Sequence, residues 1–336
     1  MKVFRGYRHP QLAPECALTI GNFDGVHRGH QAMLALLKNE AEHRKVPSCV
    51  LTFEPHPRDY FAALTGKAEL APARIATLRD KLTELARCGI DQCVVLPFNT
   101  QLSSQTPDNF IQTVLVQGLG AKYILVGDDF RFGSKRAGDY AMLDAAGEHL
   151  GFDVARMNSY EVQSTRVSSS AVRIALATSQ MNRAASLLGR PYSISGHVVH
   201  GRKLGRDLGF RTLNLRFSHW NPAASGIFAV HVHGLSEQPL PGVANLGVRP
   251  SIDPLDVNGG RVLLETYCLE WPASLGPEGA YGKIIRVELL YKLHDELKYD
   301  GLDALIKGIK KDCDDARAFF ASLQPQTSIQ ITRDRI

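Results

Sequence analysis

The sequence predicts an α/β first half built on a doubly wound parallel sheet, followed by a small antiparallel β-barrel with one late helix. Three observations predict it. From residue 17 to about 157, short apolar runs alternate with stretches of helical period. Beyond Arg190-Pro191 the apolar runs become short and alternating, separated by Gly and Pro clusters. The length of 336 residues exceeds one comfortable core and fits two domains.

Five strands are expected in the first half, at 17–20, 48–53, 92–97, 123–126 and 153–156. Between them, Met33, Leu34, Leu37 and Ala41 form the buried side of one helix, and Ile75, Leu78, Leu82 and Leu85 recur at helical spacing before Gly89. Thr106-Pro107 opens another helix with proline at its first position, and Phe110, Ile111, Val114 and Leu115 form its apolar face. Strands alternating with helices imply right-handed crossovers and a parallel sheet covered on both faces. In the second half, strands are expected at 197–200, 227–233, 262–269 and 284–290, with turns at Pro239–Gly242 and Gly276–Gly279. Asp300 caps a last helix whose stripe is Leu302, Leu305, Ile306, Ile309 and Phe320. The domain boundary falls between Gln180 and Pro191, dividing 1–183 from 184–336.

Composition narrows the function. With 44% hydrophobic and 22% charged residues the chain is globular rather than disordered. The net charge of +5 suits an enzyme that handles phosphorylated anions, and an ordinary solvated surface explains it equally well. No Lys/Arg run interleaved with aromatics speaks for nucleic acid. The N-terminus lacks the apolar core of a signal peptide, and no stretch reaches the roughly 18 apolar residues of a membrane span. Six cysteines without a C-x-x-C pair point to a reduced, cytoplasmic chain.

The most informative segment is Gly21-Asn22-Phe23-Asp24-Gly25-Val26-His27-Arg28-Gly29-His30, directly after the first expected strand and directly before a helix. Glycines let the backbone approach a phosphate, and a helix N-terminus offers unpaired N–H groups to an anion. Two histidines three residues apart can point into one cleft and donate to phosphate oxygens as charge builds on the α-phosphate. A lone histidine is usually structural; two histidines and the glycines at a strand-to-helix junction weigh against that reading. In the second half, Gly201, Gly205 and Gly209 give a loop able to wrap a triphosphate. Thr212 and Asn214 alternate on one side of a strand as hard oxygen ligands for Mg²⁺, while Leu213 and Leu215 face the core.

The H-x-G-H signature resembles the nucleotidylyltransferase superfamily, and the longer string G-N-F-D-G-V-H-R-G-H-Q resembles the adenylyltransferase half of bacterial bifunctional riboflavin kinase/FAD synthetases. Three further matches follow in order: Leu51–Pro57, Val126–Gly133 and Val167–Arg173. The resemblance implies a Rossmann-like nucleotidylyltransferase domain in which Gly21, Asn22, Phe23, His27, Gly29 and His30 hold ATP. It also implies that Asp129 lies beside the adenosine and flavin, and that Ser169, Ser170 and Arg173 close on the β- and γ-phosphates. Serine stands at 170 where the family more often has threonine. Read alone, the serine run is a loop or cap, and His56 with Glu54 fits a place in the site and a turn after the second strand equally well.

The segment Gly205–Leu215 resembles the flavokinase domain, whose usual string is Gly-Phe-Pro-Thr-Ala-Asn. Here Arg211 and Leu213 replace the Pro and Ala, Tyr267 stands where His is usual, and His294 where Arg is expected. The resemblance implies metal ligands Thr212 and Asn214, and flavin contacts at Asn245, Gly247, Arg249 and Glu265. It makes Glu265 the base on the attacking ribityl hydroxyl; read alone, Glu265 is a solvent-facing strand residue. The implied activity is phosphorylation of riboflavin to FMN, then adenylyl transfer from ATP to FMN. Mg²⁺ is the implied metal, with small-molecule substrates, no nucleic acid or membrane partner, and a homo-oligomer left open. Two rivals stay open: an adenylyltransferase with a degenerate kinase domain, and a flavin-binding carrier that is not an enzyme.

Overall fold

The structure, a computed structural model, describes residues 1–162, 165–200, 210–217, 221–249, 261–276 and 278–323. It divides into two compact units, the first containing Met1–Ile194 and the second beginning at Ser195. Helix Met181–Leu188 runs across the expected 183/184 boundary.

The first unit is a parallel sheet of six strands: β1 (Lys2–Arg5), β2 (Cys16–Ile20), β3 (Ser48–Glu54), β4 (Gln92–Pro97), β5 (Ala121–Gly127) and β6 (Asp153–Met157). Their spatial order is β1-β4-β3-β2-β5-β6. The chain winds outward from β2 to β3 and β4, then returns to lay β5 on the other side of β2, so the order reverses between β2 and β5. In open α/β sheets that reversal leaves a crevice outside the carboxyl ends of the strands. On one face α1 (Arg28–Arg44) and, further on, Leu85 pack Leu34, Leu37 and Ala41 against Ala17, Val50 and Leu125. Complete burial of a leucine such as Leu34 or Leu37 contributes about 1.5–3 kcal/mol. On the other face Phe110, Ile111, Val114 and Leu115 pack against Leu18, Leu51 and Val94.

The helices between the strands are α2 (Pro57–Thr65), α3 (Leu78–Arg87), α4 (Thr100–Ser103), α5 (Pro107–Phe110), α6 (Tyr140–Leu150), α7 (Ser169–Ala177) and α8 (Met181–Leu188). Thr106 caps α5 as its sequence suggests, but the helix continues over Ile111–Val116 as a π-helical turn. Strand β1 was not expected because its single buried residue, Phe4, gives no apolar run. A short hairpin, β7 (Glu161–Val162) with β8 (Thr165–Arg166), precedes α7.

The second unit carries an antiparallel sheet ordered β10-β13-β12-β11-β14-β9. Its strands are β9 (Tyr192–His197), β10 (Thr212–Arg216), β11 (Gly226–His233), β12 (Leu240–Arg249), β13 (Arg261–Cys268) and β14 (Ile284–His294). A bridge from the Val199 N–H to the Asn214 carbonyl, 2.9 Å, joins the two edges, so the sheet curls toward a barrel. The strand expected at 197–200 is displaced: β9 ends at His197, Val198 exchanges backbone hydrogen bonds with Gly282 and Lys283, and Val199 bridges to Asn214. The Gly-Pro cluster expected to be a turn lies partly inside β12, where Pro241 sits at the second position and costs little pairing. Leu213 and Leu215 are buried as expected. The last helix, α9 (Leu302–Leu323), lays Cys313 and Ala316 on Ile227, Ala229 and Val243. Leu302, expected in its stripe, is instead 60% exposed, because the buried face begins further along the helix.

Candidate functional site

The crevice predicted by the sheet order is a cavity of about 300 Å³. Its walls come from the turn after β2 (His27, Gly29, His30), the end of β5 (Gly127, Asp128, Asp129), the segment after β6 and the start of α7 (Ser168, Ser169, Ser170). Of the residues expected at the first site, His27, Gly29, His30, Asp129, Ser169 and Ser170 therefore meet around one space. Gly21, Asn22, Phe23 and Arg173 do not line it.

The turn that carries the histidines has an unusual backbone. Phe23 and Val26 adopt φ of 47° and 40°, a region that costs energy for residues with a Cβ and is held only by surrounding structure. Between them Gly25, at φ 83°, packs so closely that a Cβ would stand 2.6 Å from Ile75 Cγ2. The Asp24 carboxylate fixes this turn. Buried to 2% exposure, it accepts from the Ile75 and Ala76 N–H groups and from the Arg173 guanidinium at 2.5 Å. Burial pushes the Asp24 carboxyl up, but Arg173, Arg74 and the Ala76 N–H outweigh it and hold it below its ordinary value. Arg173 also donates to the Ala73 carbonyl at 2.6 Å, and the Ser169 hydroxyl donates to the Asp24 carbonyl at 3.0 Å. The start of α7, which Ser168 caps, is thus tied to the histidine turn.

His27 caps α1, its Nδ1 accepting from the His30 N–H at 3.3 Å. That acceptor role requires Nδ1 to be unprotonated and leaves Nε2 to carry the donor proton. The two imidazoles stack with centroids 3.6 Å apart, and Phe23 backs His30 at 4.9 Å. Burial pushes His27 down to about 4. His30 is held well below its ordinary value by burial, then by His27, Lys81 and Arg173. Both rings are thus neutral near pH 7 and able to offer an N–H without a net charge. His30 Nδ1 and Asn22 Oδ1 are buried without a hydrogen-bond partner among the described residues. On the opposite wall the Ser159 hydroxyl and then Arg166 hold Asp128.

Behind the turn lies a charged cluster of which the sequence singled out only Glu54 and His56. Arg74, 5% exposed, donates to Asp59 at 2.7 Å and to Glu54 at 3.4 Å. His56 caps α2 by accepting from the Arg58 N–H, and burial followed by Arg74 pushes it down to about 3. Lys81 is completely buried. One signal was available: Lys81 lies three residues after Leu78 and four before Leu85, on the apolar face of α3.

In the second unit the expected residues share a register. Asn214 on β10 pairs with Glu265 on β13, which pairs with Asn245 on β12. Side chains of directly paired residues project to the same face, so the carboxylate lies between two amides. Glu265 is half-buried, and Asn214 is 4% exposed. The side-chain oxygens of Asn214 and Asn245 are buried and lack a partner among the described residues. Gly247 leaves room for the Glu296 carboxylate, which occupies the place a Cβ would take. Thr212 and Arg249 lie on β10 and β12. Gly201, Gly205 and Gly209 fall outside the described residues. Of the four departures from the flavokinase pattern, Leu213 is buried in the core and the other three have a side-chain contact. Arg211 lies over the Trp271 ring at 5.5 Å, Tyr267 meets Phe210 edge-on, and His294 bonds Asp312 at 2.7 Å.

Fold and site together define an α/β nucleotidylyltransferase-type domain followed by a flavokinase-type barrel. The family model for FAD synthetase matches residues 9–171, and that for riboflavin kinase matches residues 188–320. Relatives named bifunctional riboflavin kinase/FMN adenylyltransferase align along nearly all of both chains. The Escherichia coli K12 protein is 43% identical over 97% of this chain and 100% of its own. The Haemophilus influenzae protein is 42% identical over 96% and 100%. This chain belongs to the bifunctional riboflavin kinase/FMN adenylyltransferase family. Among solved structures, a macrolide-efflux protein from Streptococcus pneumoniae superposes with a TM-score of 0.71 at 25% identity, covering 94% of this chain and 99% of that one. Its name speaks of transport; among the described residues here, no helix is long and apolar enough to cross a membrane.

Proposed function

We propose that this chain phosphorylates riboflavin to FMN with one ATP and adenylylates FMN to FAD with a second. The observation that carries the reading is the pair of stacked, neutral imidazoles at the start of α1, facing a cavity at the reversal of the sheet. In the adenylyl step an FMN phosphate oxygen attacks the α-phosphorus of ATP and pyrophosphate leaves. His27 and His30 donate N–H groups to the phosphate oxygens as charge builds there, and the N-terminus of α1 adds its dipole. Gly21, Asn22, Phe23 and Gly29 shape the phosphate seat, Ser169 and Ser170 reach the leaving pyrophosphate, and Asp129 faces the adenosine and flavin ends. We assign Arg173 to the same signature, as the cation that neutralises the charge of the β- and γ-phosphates.

In the kinase step Glu265 accepts the proton of the terminal ribityl hydroxyl as its oxygen attacks the γ-phosphorus, with ADP leaving. Asn245, Gly247 and Arg249 hold the flavin side, and Gly201, Gly205 and Gly209 the triphosphate. The Thr212 hydroxyl and the Asn214 oxygen, which lacks a partner among the described residues, are hard ligands that fit Mg²⁺. The metal would supply charge neutralisation of the phosphates. We divide the work between 1–183, for adenylyl transfer, and 184–336, for phosphorylation, in a cytoplasmic enzyme with small-molecule substrates.

Incubation with riboflavin, ATP and Mg²⁺, followed by chromatography of the flavins, tests the reading. FMN appearing first and FAD after it is the expected result. FAD from supplied FMN but no product from riboflavin would favour a degenerate kinase, and no product from either would leave a flavin-binding protein.

A further inference from the structure

A buried ammonium lies beneath the histidine turn. Lys81 sits on α3, whose N-cap is Thr77, and is completely buried beside Leu85. Among the described residues its Nζ has one hydrogen-bond partner, the Thr52 hydroxyl on β3 at 3.3 Å. A buried cation without a contacting carboxylate is costly, and a methionine or leucine would fill the same space without that cost. The Thr52 hydroxyl in turn donates to the Asn22 carbonyl at 3.3 Å. A hydroxyl has one proton; with an ammonium donating into its lone pair, that proton can only point at Asn22. The chain ammonium–hydroxyl–carbonyl is therefore directional and ends on the turn that carries His27 and His30.

We propose that Lys81 is a positioning residue for adenylyl transfer: through Thr52 it orients the Asn22 carbonyl, and its fixed charge favours a polyphosphate above the turn. The inference rests on the adenylyl-transfer reading above. The electrostatic surroundings agree with it. The groups acting on Lys81 are Arg74 ahead of α3, Glu54 at the end of β3, Asp24 in the turn and Cys93 on β4; burial and then Arg74 lower its affinity for a proton. Those acting on His30 are His27, Lys81 and, from α7, Arg173. The carboxylates Asp24, Glu54 and Asp59 are set against the cations Arg74, Arg173 and Lys81. Removing Lys81 leaves that set with an excess of negative charge directly behind the site. An anion would then bind less well, and His30 would take up a proton at higher pH.

Two near-isosteric variants in the full chain test this, Lys81→Met and Thr52→Val, with FAD formation from FMN, ATP affinity by calorimetry and riboflavin phosphorylation as readouts. Lys81→Met is expected to raise the KM for ATP in adenylyl transfer about tenfold and to move the acid limb of kcat/KM to higher pH. Thr52→Val should raise that KM severalfold with the acid limb in place, and phosphorylation should be unchanged in both. Adenylyl transfer within twofold of wild type in Lys81→Met overturns the proposal, as does a loss of activity with an unmoved acid limb. Should Lys81→Met not fold, Thr52→Val decides: a severalfold rise in KM supports the proposal, and a value within twofold overturns it. A wild-type chain that binds ATP but makes no FAD refutes the adenylyl-transfer reading instead, and Lys81 is then judged on ATP affinity alone.

Discussion

The two candidate sites are built by opposite means. In the α/β unit the groups sit on turns and helix starts beyond the ends of β2, β3 and β5 and, for Lys81, on α3, and their properties come from burial among charges. His27, His30, His56, Asp24 and Lys81 all depart from their ordinary proton affinities. In the barrel unit Asn214, Glu265 and Asn245 sit mid-strand, and the β-ladder itself sets their spacing. A turn can tune chemistry finely but must be held by a network; a ladder holds its residues without one. The difference teaches where each site is vulnerable: the first to changes of charge at a distance, the second to the loss of a single functional group.

The largest expected effect sharpens the second half of that contrast. Glu265→Gln keeps the shape and the ladder, so it should lower riboflavin phosphorylation by about 10²- to 10⁴-fold, the usual worth of a positioned base. Adenylylation of supplied FMN, measured in the same preparation, should stay near normal. An unchanged phosphorylation rate would show that the base lies elsewhere. Next in size, His30→Ala should cut FAD formation by about 100- to 1,000-fold, as expected for removal of one donor to a developing charge, while FMN accumulates from riboflavin. FAD output at the wild-type rate from the folded variant would break the assignment of the first site.

The smallest effect concerns stability and pH. His27 and His56 have folded values of about 4 and about 3, below the ordinary 6.5. The unfolded chain therefore binds protons that the folded chain does not, so the stabilisation is complete above pH 6.5 and is lost as pH falls toward 4 and then 3. Hydrogen exchange at the first turns of α1 and α2 should be faster at pH 4.5 than at pH 7, after correction for intrinsic rates, while β11 changes less. Equal acceleration in all three would remove the supposed electrostatic distinction between the units.

The same contrast explains what was legible in the sequence. Strand β4 runs over Gln92–Pro97, the bounds expected, because a buried parallel strand leaves an uninterrupted apolar run. Thr212, Asn214, Leu213 and Leu215 could be sorted between two faces because strands have a period of two. The H-x-G-H turn announced itself by residue type. Asp24, Arg74, Asp59 and Lys81 did not: they lie far apart in sequence, and only tertiary packing gathers them. Arg173 carried a local signal but not its partner, because nothing in the serine-rich segment tells that Asp24 waits behind the turn.

One residue has two employments. The ring of His27 that faces the cavity is also the acceptor that begins α1. A side chain at this position must therefore satisfy a backbone amide with one end and present a proton with the other, at a fixed separation. Imidazole does both across a rigid five-membered ring. Asparagine or serine could start the helix but would bring a shorter, differently aimed donor; lysine or arginine could offer protons but could not accept. Drift at residue 27 is thus confined from two independent directions, and a chain released from selection for catalysis would still be under selection to keep this helix begun.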